Sequence, residues 1–289
     1  MPYFTAKLFN KGEHSMLGAI IGDIVGSRFE WNNIKVKEFD LMTNRCFATD
    51  DSIMSLAVAQ AIMDCNGDYS VLGDHAVKCM QKIGRPYLDF GYGGMFRQWI
   101  YSDNPRPYNS FGNGAAMRVS ACGYAAGSLE EAIQLSKIVT AVTHNHPEGI
   151  KGAEATAVAI FLARQGNGIP EIQDYIDKHY YPMNFTLDGI RDSYEFNETC
   201  QSTVPQAIMA FLESIDFEDA IRNAVSIGGD SDTIAAITGG IAEAYYGIPA
   251  YIRNHALTFL DERLLGILNA FEVRFGVGSE EILTAQEKK

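Results

Sequence analysis

Cysteine is scarce in this sequence of 289 residues, and the few cysteines present follow no pattern. The five thiols are odd in number and scattered along the chain, and none of them forms a CxxC pair. This distribution argues against both a disulfide framework and a cysteine-rich zinc site. It is typical of a protein that folds in a reducing compartment, so a cytoplasmic location is the default expectation.

Long hydrophobic runs and basic residues are also in short supply. No apolar run approaches membrane-spanning length, and residues 1–15 lack the apolar stretch of a signal peptide. Lysine and arginine total 23 against 36 aspartate and glutamate residues, which gives a formal net charge of −13. Such an acidic surface repels nucleic-acid phosphate, so nonspecific nucleic-acid binding is not expected. A small phosphorylated ligand held in one local pocket remains compatible with this charge.

Strand patterns are short and hairpin signals nearly absent, whereas alanine-rich segments with apolar residues at helical spacing recur along the chain. The clearest of these segments predict helices over residues 51–63, 130–142, 149–163, 217–225 and 231–245. We therefore expect an all-α, single-domain orthogonal bundle of roughly a dozen helices, built from residues 16–289. Residues 1–15 are interpreted as an N-terminal extension outside the fold. The polar stretch 188–201 indicates a connecting or lid region.

Three short motifs concentrate acidic and hydroxyl side chains near predicted helix ends. They are GDIVGSRFE at residues 22–30, TDD at 49–51 and GGDSDT at 228–233. Each motif alone is compatible with simple helix capping, because aspartate, serine and threonine cap helices and carboxylates are stabilised near helix N-termini. A lone TDD motif favours capping over metal binding.

The TDD and GGDSDT motifs together favour a metal site. If the two helix starts meet in the fold, four carboxylates and two hydroxyl groups converge. Such a cluster cannot stay ionised in a partly buried site without cations, because like charges raise one another's pKa. Oxygen ligands favour Mg²⁺ or Mn²⁺ over zinc, and carboxylates shared between helix ends suit two ions. The sequence alone does not show that these ends meet.

In this order, the motifs resemble those of the ADP-ribosylglycohydrolase family. The resemblance extends from residue 16 to about residue 249. It rests on the GDxxGxxxE start, the TDD helix start, FGNGAAMR at residues 111–118, THNHPEG at 143–149 and the GGDSDT close. It implies an all-helical enzyme that hydrolyses the bond between ADP-ribose and its carrier, a protein side chain or a small-molecule or nucleic-acid conjugate.

The resemblance also implies a binuclear Mg²⁺ or Mn²⁺ centre, with metal-activated water attacking the anomeric carbon of the distal ribose. The metal ligands that it implies are Thr49, Asp50, Asp51, Asp230, Asp232 and Thr233. Glu30 and Asp232 are the implied catalytic residues, and Glu30 is expected to position the water or relay its proton. Asp23 is expected to support the turn without contacting the metals.

The glycine-rich segment that precedes residue 115 is expected to hold the diphosphate of the substrate. Backbone N–H groups in such a turn at a helix N-terminus can bind phosphate, although the same glycines are also typical of a tight turn. By the family resemblance, the residues expected to contact the substrate are Ser110, Gly112, Asn113, Gly114 and His144.

Two histidines in THNHPEG could suggest zinc, but their alternate spacing places His144 and His146 on opposite sides of an extended segment. A substrate-contacting or supporting histidine is therefore the better interpretation, and His144 is preferred. Phe111, Tyr92 and Tyr194 are candidates for stacking on adenine, and none of the three is assigned.

Several alternatives stay open. The carrier of ADP-ribose could be arginine, serine, an acetyl ester or a modified nucleic acid, and Asp89 is a candidate partner for a guanidinium group. The chain could also be a noncatalytic ADP-ribose-binding, crystallin-like or immunity-like protein of the same fold, although no implied metal ligand is missing. A di-metal phosphohydrolase that releases AMP is a further alternative. We expect a monomer that acts on an ADP-ribosylated substrate and has no membrane partner.

Overall fold

The computed structural model describes residues 15–87 and 89–276, and within these ranges it contains helices and no strand. The α-helices are α1 (Leu17–Gly26), α2 (Asp50–Asp64), α3 (Leu72–Gly84), α4 (Gly94–Tyr101), α5 (Ser120–Ala125), α6 (Leu129–Ala141), α7 (Pro147–Arg164), α8 (Ile169–His179), α9 (Leu187–Ile190), α10 (Cys200–Leu212), α11 (Phe217–Ser226), α12 (Ser231–Tyr246), α13 (Ala250–Ala256) and α14 (Glu262–Phe275). The all-α prediction is confirmed. None of the described helices is both long enough and apolar enough to cross a membrane.

All five helices predicted from apolar periodicity are present as α2, α6, α7, α11 and α12, with ends that differ by at most two residues. Side-chain caps bind amides in the first turns of α2, α6, α7 and α11, whereas α12 has no such cap. Asp216 accepts a 2.8 Å hydrogen bond from the amide of Asp219 at the start of α11. His146 accepts from the amide of Glu148 at the start of α7, whose first residue is the proline of THNHPEG.

Helix α12 lies at the centre of the molecule. It contacts α1, α7, α10 and α11, and residues 231–244 are all buried. A helix that is buried on all sides must be apolar or small on all its faces, and α12 meets this condition with its isoleucines, alanines and paired glycines.

The contact between α1 and α12 is the most extensive helix pair in the described chain, and it depends on glycine. A Cβ atom on Gly22 would lie 1.9 Å from the carbonyl oxygen of Ala235, and one on Gly18 would lie 2.3 Å from that of Gly239. A side chain at either position would therefore collide with backbone, which cannot move aside as a flexible side chain can. The result is close backbone contact along the whole length of α1.

Ser15 corrects the predicted start of the fold. Ser15 is buried, and its backbone N–H donates a 2.7 Å hydrogen bond to the carboxylate of Glu243 in α12. The amide of Gly18 donates to the same carboxylate at 2.6 Å, so Glu243 satisfies N–H groups at the start of α1. Ser15 therefore belongs to the fold rather than to an extension, and the prediction for residues 1–14 lies outside the described residues.

The packing of α1 on α12 predicts opposite effects for two Gly→Ala substitutions. We expect Gly22→Ala to lower the free energy of unfolding by about 1–3 kcal/mol or more, because the new methyl group collides with α12. Gly266→Ala in α14 is the matched control, since open space surrounds that glycine. Alanine there should raise stability by up to about 1 kcal/mol through helix propensity. Urea denaturation measures both changes, and equal effects would contradict the packing described.

Candidate active site

The starts of α2 and α12 meet at one cavity of about 480 Å³. The metal site expected from the TDD and GGDSDT motifs required that these two helix starts meet. The predicted metal-site residues that line this cavity are Asp50, Asp51, Asp230, Asp232 and Thr233, together with Glu30 from the segment after α1. Carboxylate oxygens of Glu30, Asp230 and Asp232 lie within 4.8 Å of one another. Side chains that are about 180 residues apart in the sequence therefore form one acidic cluster.

Asp23 in α1 organises the start of α2. Its carboxylate accepts hydrogen bonds from the amide of Thr49 at 2.9 Å, from Thr49 Oγ1 at 2.7 Å and from the amide of Ser52 at 3.1 Å. The Ser52 hydroxyl donates to it as well. Asp23 is fully buried and does not line the cavity, which agrees with the supporting role expected for it.

Thr49 differs from the other predicted metal ligands. Its Oγ1 donates to Asp23 and accepts from the amide of Asp51 at 3.3 Å, and Thr49 is not among the residues that line the cavity. The hydroxyl therefore acts as the N-cap of α2 in this structure. Its role as a metal ligand stays a prediction.

The loop before α12 is held in place by the segment that follows Glu30. Gly228 and Gly229 have positive φ angles of 69° and 76°, a conformation that favours glycine. Asn33 brackets Gly229, because its Oδ1 accepts from the Gly229 amide at 2.7 Å and its Nδ2 donates to the Gly229 carbonyl at 2.9 Å. Lys35 Nζ donates to the carbonyl of Ile227 at 2.6 Å. These bonds fix the backbone from which Asp230 and Asp232 project.

Burial and mutual repulsion raise the pKa of the carboxyl groups in the acidic cluster. Burial is the largest cause at Glu30, followed by the charges of Asp232 and Asp23, and together they raise its pKa to about 8. Burial raises the pKa of Asp230 to about 6. Burial, followed by the charge of Asp232, raises the pKa of both Asp50 and Asp51. The cluster therefore favours protons or other cations at neutral pH.

The donor set fits hard divalent cations. Asp51 Oδ2 is buried and has no hydrogen-bond partner among the described residues, so a lone pair is left without a donor. The grouped oxygens of Glu30, Asp230 and Asp232 are placed so that a single ion could bind all three. Carboxylate and hydroxyl oxygens are the ligands that Mg²⁺ and Mn²⁺ prefer.

The glycine-rich loop lies beside the acidic cluster and is bonded to it. Asn113 Nδ2 donates a 2.6 Å hydrogen bond to Asp230 Oδ2, so the loop and the start of α12 are directly linked. The amide of Asn113 donates to the carbonyl of Glu198 at 2.7 Å, and the amide of Gly112 donates to Ser110 Oγ at 3.1 Å. These two amides already have acceptors within the protein, which the prediction of a phosphate cradle did not anticipate.

All five residues predicted to bind substrate line the cavity, namely Ser110, Gly112, Asn113, Gly114 and His144. Their contact with substrate stays a prediction. His144 is buried, whereas His146 caps α7, so the two histidines do lie in different environments.

Arg118 is a cavity residue that the sequence analysis missed. It is only 1% exposed, and its guanidinium group donates to Thr143 Oγ1 and lies 3.2 Å from His144 Nδ1. No carboxylate is within ion-pair distance of it in the described part of the chain. Burial, followed by the charge of Arg118, lowers the pKa of His144, so that ring is neutral. The cavity lining thus includes both a cluster of carboxyl groups and a buried positive charge.

The segment before α4 forms a further wall that the sequence analysis did not assign. The amide of Asp50 donates to the carbonyl of Phe90 at 2.7 Å, and Gly91 has a φ angle of 103°. A Cβ atom on Gly91 would lie 2.6 Å from Asp50 Oδ1. The cluster of glycines at 91, 93 and 94 was the available signal, because glycine permits such an approach.

Of the three aromatic residues considered for stacking on adenine, one lines the cavity and two do not. Phe111 lines the cavity, whereas Tyr92 is buried with its hydroxyl donating to the Gly84 carbonyl at 3.3 Å. Tyr194 packs against Gly229 and donates to the carbonyl of Ser202, so neither tyrosine lines the cavity.

Asp89, the candidate partner for a guanidinium group, is 93% exposed and does not line the cavity either. Within the polar stretch 188–201, Glu198 and Thr199 do line it.

Comparison with known proteins identifies the family and the relatives of this chain. A sequence model of the family described as ADP-ribosylglycohydrolase matches residues 5–275. ADP-ribosylhydrolase ARH3 of Homo sapiens is 24% identical over an alignment that covers 84% of this chain and 87% of that protein. ADP-ribosylarginine hydrolase Tri1 of Pseudomonas putida (strain GB-1) is 24% identical, covering 83% of this chain and 71% of that protein.

A solved structure titled ADP-ribosylglycohydrolase-related protein complex has the same fold. It superposes with a TM-score of 0.66 at 22% sequence identity, covering 91% of this chain and 96% of that chain. The family model matches from residue 5, whereas the motif resemblance starts at residue 16, and the match spans nearly the whole chain.

The raised pKa values predict how stability depends on pH when a chelator is present. A carboxyl group whose pKa is higher in the folded than in the unfolded chain binds protons more tightly when folded, so stability is lost as pH rises through the folded pKa. We expect the free energy of unfolding to fall from about pH 4, where these carboxyl groups titrate in the unfolded chain, to about pH 8. The contribution of Asp230 is lost by about pH 6 and that of Glu30 by about pH 8.

Asp232→Asn removes one of the repelling charges and should make this fall shallower. Asp174→Asn on exposed α8 is the control, and it should keep the slope of the unsubstituted protein. Chemical denaturation in EDTA at a series of pH values measures the slopes. A slope that is the same in both variants would contradict the electrostatic account.

Proposed function

This chain belongs to the ADP-ribosylglycohydrolase family, and from that premise we propose that it is a hydrolase that releases ADP-ribose from its carrier with the aid of bound Mg²⁺ or Mn²⁺. One observation carries the proposal. The acidic cluster and the glycine-rich loop line the same cavity and are joined by the hydrogen bond from Asn113 to Asp230. ADP-ribose carries two groups that match these two features, because its distal ribose is attached directly to its diphosphate. The ribose would lie at the acidic cluster and the diphosphate at the loop.

We assign two ions to the acidic cluster, with Thr49, Asp50, Asp51, Asp230, Asp232 and Thr233 as their ligands. The unpartnered Oδ2 of Asp51 and the raised pKa values of its neighbours support this assignment. When bound there, such ions supply Lewis acidity beside the distal ribose and lower the pKa of water.

The glycine-rich loop would bind the diphosphate. Ser110, Gly112 and Gly114 line the cavity together with His144, and Arg118 adds a buried positive charge. Because the acidic cluster would repel phosphate and Arg118 would attract it, ADP-ribose would bind with its distal ribose toward the carboxylates. Phe111, which is 42% exposed, is the aromatic side chain available to stack on the adenine.

Glu30 is proposed as the group that moves the proton of the attacking water. The water oxygen forms a bond to the anomeric carbon while the bond from that carbon to the carrier breaks and its electron pair leaves with the carrier. A Glu30 carboxylate oxygen accepts the water proton, and the leaving carrier takes up one proton in its place. In the metal-free protein burial, followed by the charges of Asp232 and Asp23, raises the pKa of Glu30 to about 8. Bound cations would offset the repulsion and favour the carboxylate form that a general base requires. Such assistance typically contributes about 10²–10⁴ in rate.

The geometry of the site does not identify the carrier to which ADP-ribose is attached. The names of the two relatives differ in whether they specify the carrier. One is an ADP-ribosylhydrolase, and the other is an ADP-ribosylarginine hydrolase. We therefore propose no single linkage, and the substrate panel below includes arginine, serine, acetyl ester and nucleic-acid conjugates of ADP-ribose.

The proposal predicts that free ADP-ribose is released from at least one member of this panel with Mg²⁺ or Mn²⁺, and that a chelator stops the release. Separation of the products by chromatography distinguishes ADP-ribose from AMP, and AMP would instead indicate attack on the diphosphate. Binding of ADP-ribose without any release would overturn the hydrolase assignment in favour of a binding protein.

Three variants localise the activity in the same assay. Asp232→Asn should abolish metal-dependent turnover, and Glu30→Gln should lower kcat by about 10²–10⁴ while ADP-ribose still binds. Glu38→Gln is the matched control, because Glu38 is exposed and lies outside the cavity. Full activity in Asp232→Asn would contradict the assignment of the site.

A further inference from the structure

The two ring nitrogens of His144 face different surroundings. Nδ1 lies 2.7 Å from Thr143 Oγ1 and 3.2 Å from Arg118 Nη2, inside the protein. Nε2 faces the glycine-rich loop, since a Cβ atom on Gly114 would lie 3.4 Å from it and one on Gly112 would lie 3.6 Å away. The imidazole therefore connects a buried polar cluster to the loop proposed to hold the diphosphate.

The contacts at Nδ1 determine which ring nitrogen carries the proton. A guanidinium group can only donate hydrogen bonds, so Arg118 requires an acceptor at Nδ1. Arg118 also donates to Thr143 Oγ1, which leaves the threonine hydroxyl proton free to point to Nδ1 at 2.7 Å. A proton on Nδ1 would instead face the Arg118 donor at 3.2 Å, so this tautomer is disfavoured.

We propose that Arg118 is a positioning residue that fixes His144 as the neutral tautomer protonated at Nε2, so that the ring donates a hydrogen bond to a phosphate oxygen of the substrate. The ligand in this inference rests on the proposed function, whereas the tautomer rests on the protein's own contacts. The role differs from direct phosphate binding by Arg118, because the effect passes through His144.

The surroundings of His144 keep the ring neutral as well as oriented. Burial and the adjacent Arg118 charge lower its pKa, and the other ring packed against it is Tyr108, with centroids 5.6 Å apart. Burial raises the pKa of Tyr108 to about 12, so the phenol is uncharged at neutral pH. Among the described residues no carboxylate acts on the pKa of this ring, so in the unliganded protein the ring stays a neutral Nε2 donor across the neutral range.

The space around the loop agrees with this orientation. Gly112 and Gly114 lie beside Nε2, and a Cβ atom on either would be at van der Waals distance from the ring. Glycine at both positions leaves the Nε2–H group open to the cavity, where a ligand oxygen can reach it.

The tautomer can be measured directly by NMR on protein with ¹³C,¹⁵N-labelled histidine, with the His144 signals assigned by their loss in His144→Leu. We expect one neutral Nε2–H form in the unsubstituted protein from pH 6 to 8. In Arg118→Met the Nδ1–H form should gain population, because Nδ1 can then donate to Thr143 Oγ1. Arg164→Met is the matched control, since Arg164 bonds to carbonyls of Gly123 and Ala126 away from the cavity.

An Nδ1–H form or an imidazolium in the unsubstituted protein would overturn the proposal, and this result does not depend on any variant folding. An unchanged tautomer in a folded Arg118→Met protein would overturn it equally. Folding of each variant is checked by circular dichroism before the spectra are compared.

A double-mutant cycle on ADP-ribose affinity tests whether Arg118 acts through His144. Arg118→Met and His144→Leu should each weaken binding about 10-fold or more by calorimetry. His144→Leu removes the hydrogen bond to the charged phosphate, and Arg118→Met lets the ring adopt the tautomer that cannot donate this bond. The double variant should bind no more weakly than the worse single variant. Additive losses would assign Arg118 to direct phosphate contact and overturn the positioning role.

The two proposals fail in different ways. If the unsubstituted protein shows the Nε2–H form but does not bind ADP-ribose, the proposed function is wrong while the tautomer assignment stands. If ADP-ribose binds and is released from a carrier but His144 is in the other form, the inference is wrong and the function stands.

Discussion

The backbone contact between α1 and α12 is the constraint on which the site depends. Gly22 lets α1 approach the carbonyl of Ala235, and the same approach places Gly26 against the first turn of α12, where an added Cβ would lie 2.5 Å from the Cα of Asp232. From this fixed position α1 directs Asp23 toward the start of α2, whose amides and hydroxyls it binds. A single helix thus sets the relative position of both acidic helix starts, and Glu30 follows directly from its end.

This arrangement has an electrostatic cost, because it buries charged groups in the lining of one cavity. Burial, followed by repulsion from Asp232 and Asp23, raises the pKa of Glu30 to about 8 and disfavours the charged state that a metal requires. Arg118, in the lining of the same cavity, is buried without an ion-pair partner in the part of the chain that the structure describes. Cations on the carboxylates and an anionic ligand near Arg118 would relieve both costs. The folded protein is therefore prepared for a bound state with complementary charges.

The helices and the acidic residues could be predicted from the sequence because both are local properties. Apolar spacing located α2 and α12 to within one residue at each end, and the motifs at their starts identified the carboxylates. The convergence of those starts depends on contacts between distant segments, which one sequence cannot show. Arg118 was missed for the same reason, since a cationic side chain in a short segment gives no sign of complete burial. Tyr92 and Tyr194 were placed among the ligand candidates although their hydroxyl groups serve internal hydrogen bonds.

The most direct test of the account is a crystal structure of the protein with ADP-ribose and Mg²⁺. The account predicts two ions between the starts of α2 and α12, with the distal ribose beside them and Glu30 within reach of its anomeric carbon. The diphosphate should lie on the loop from Ser110 to Gly114, within hydrogen-bond distance of His144 Nε2. Ions bound elsewhere, or a diphosphate seated on the acidic cluster with the loop empty, would contradict it.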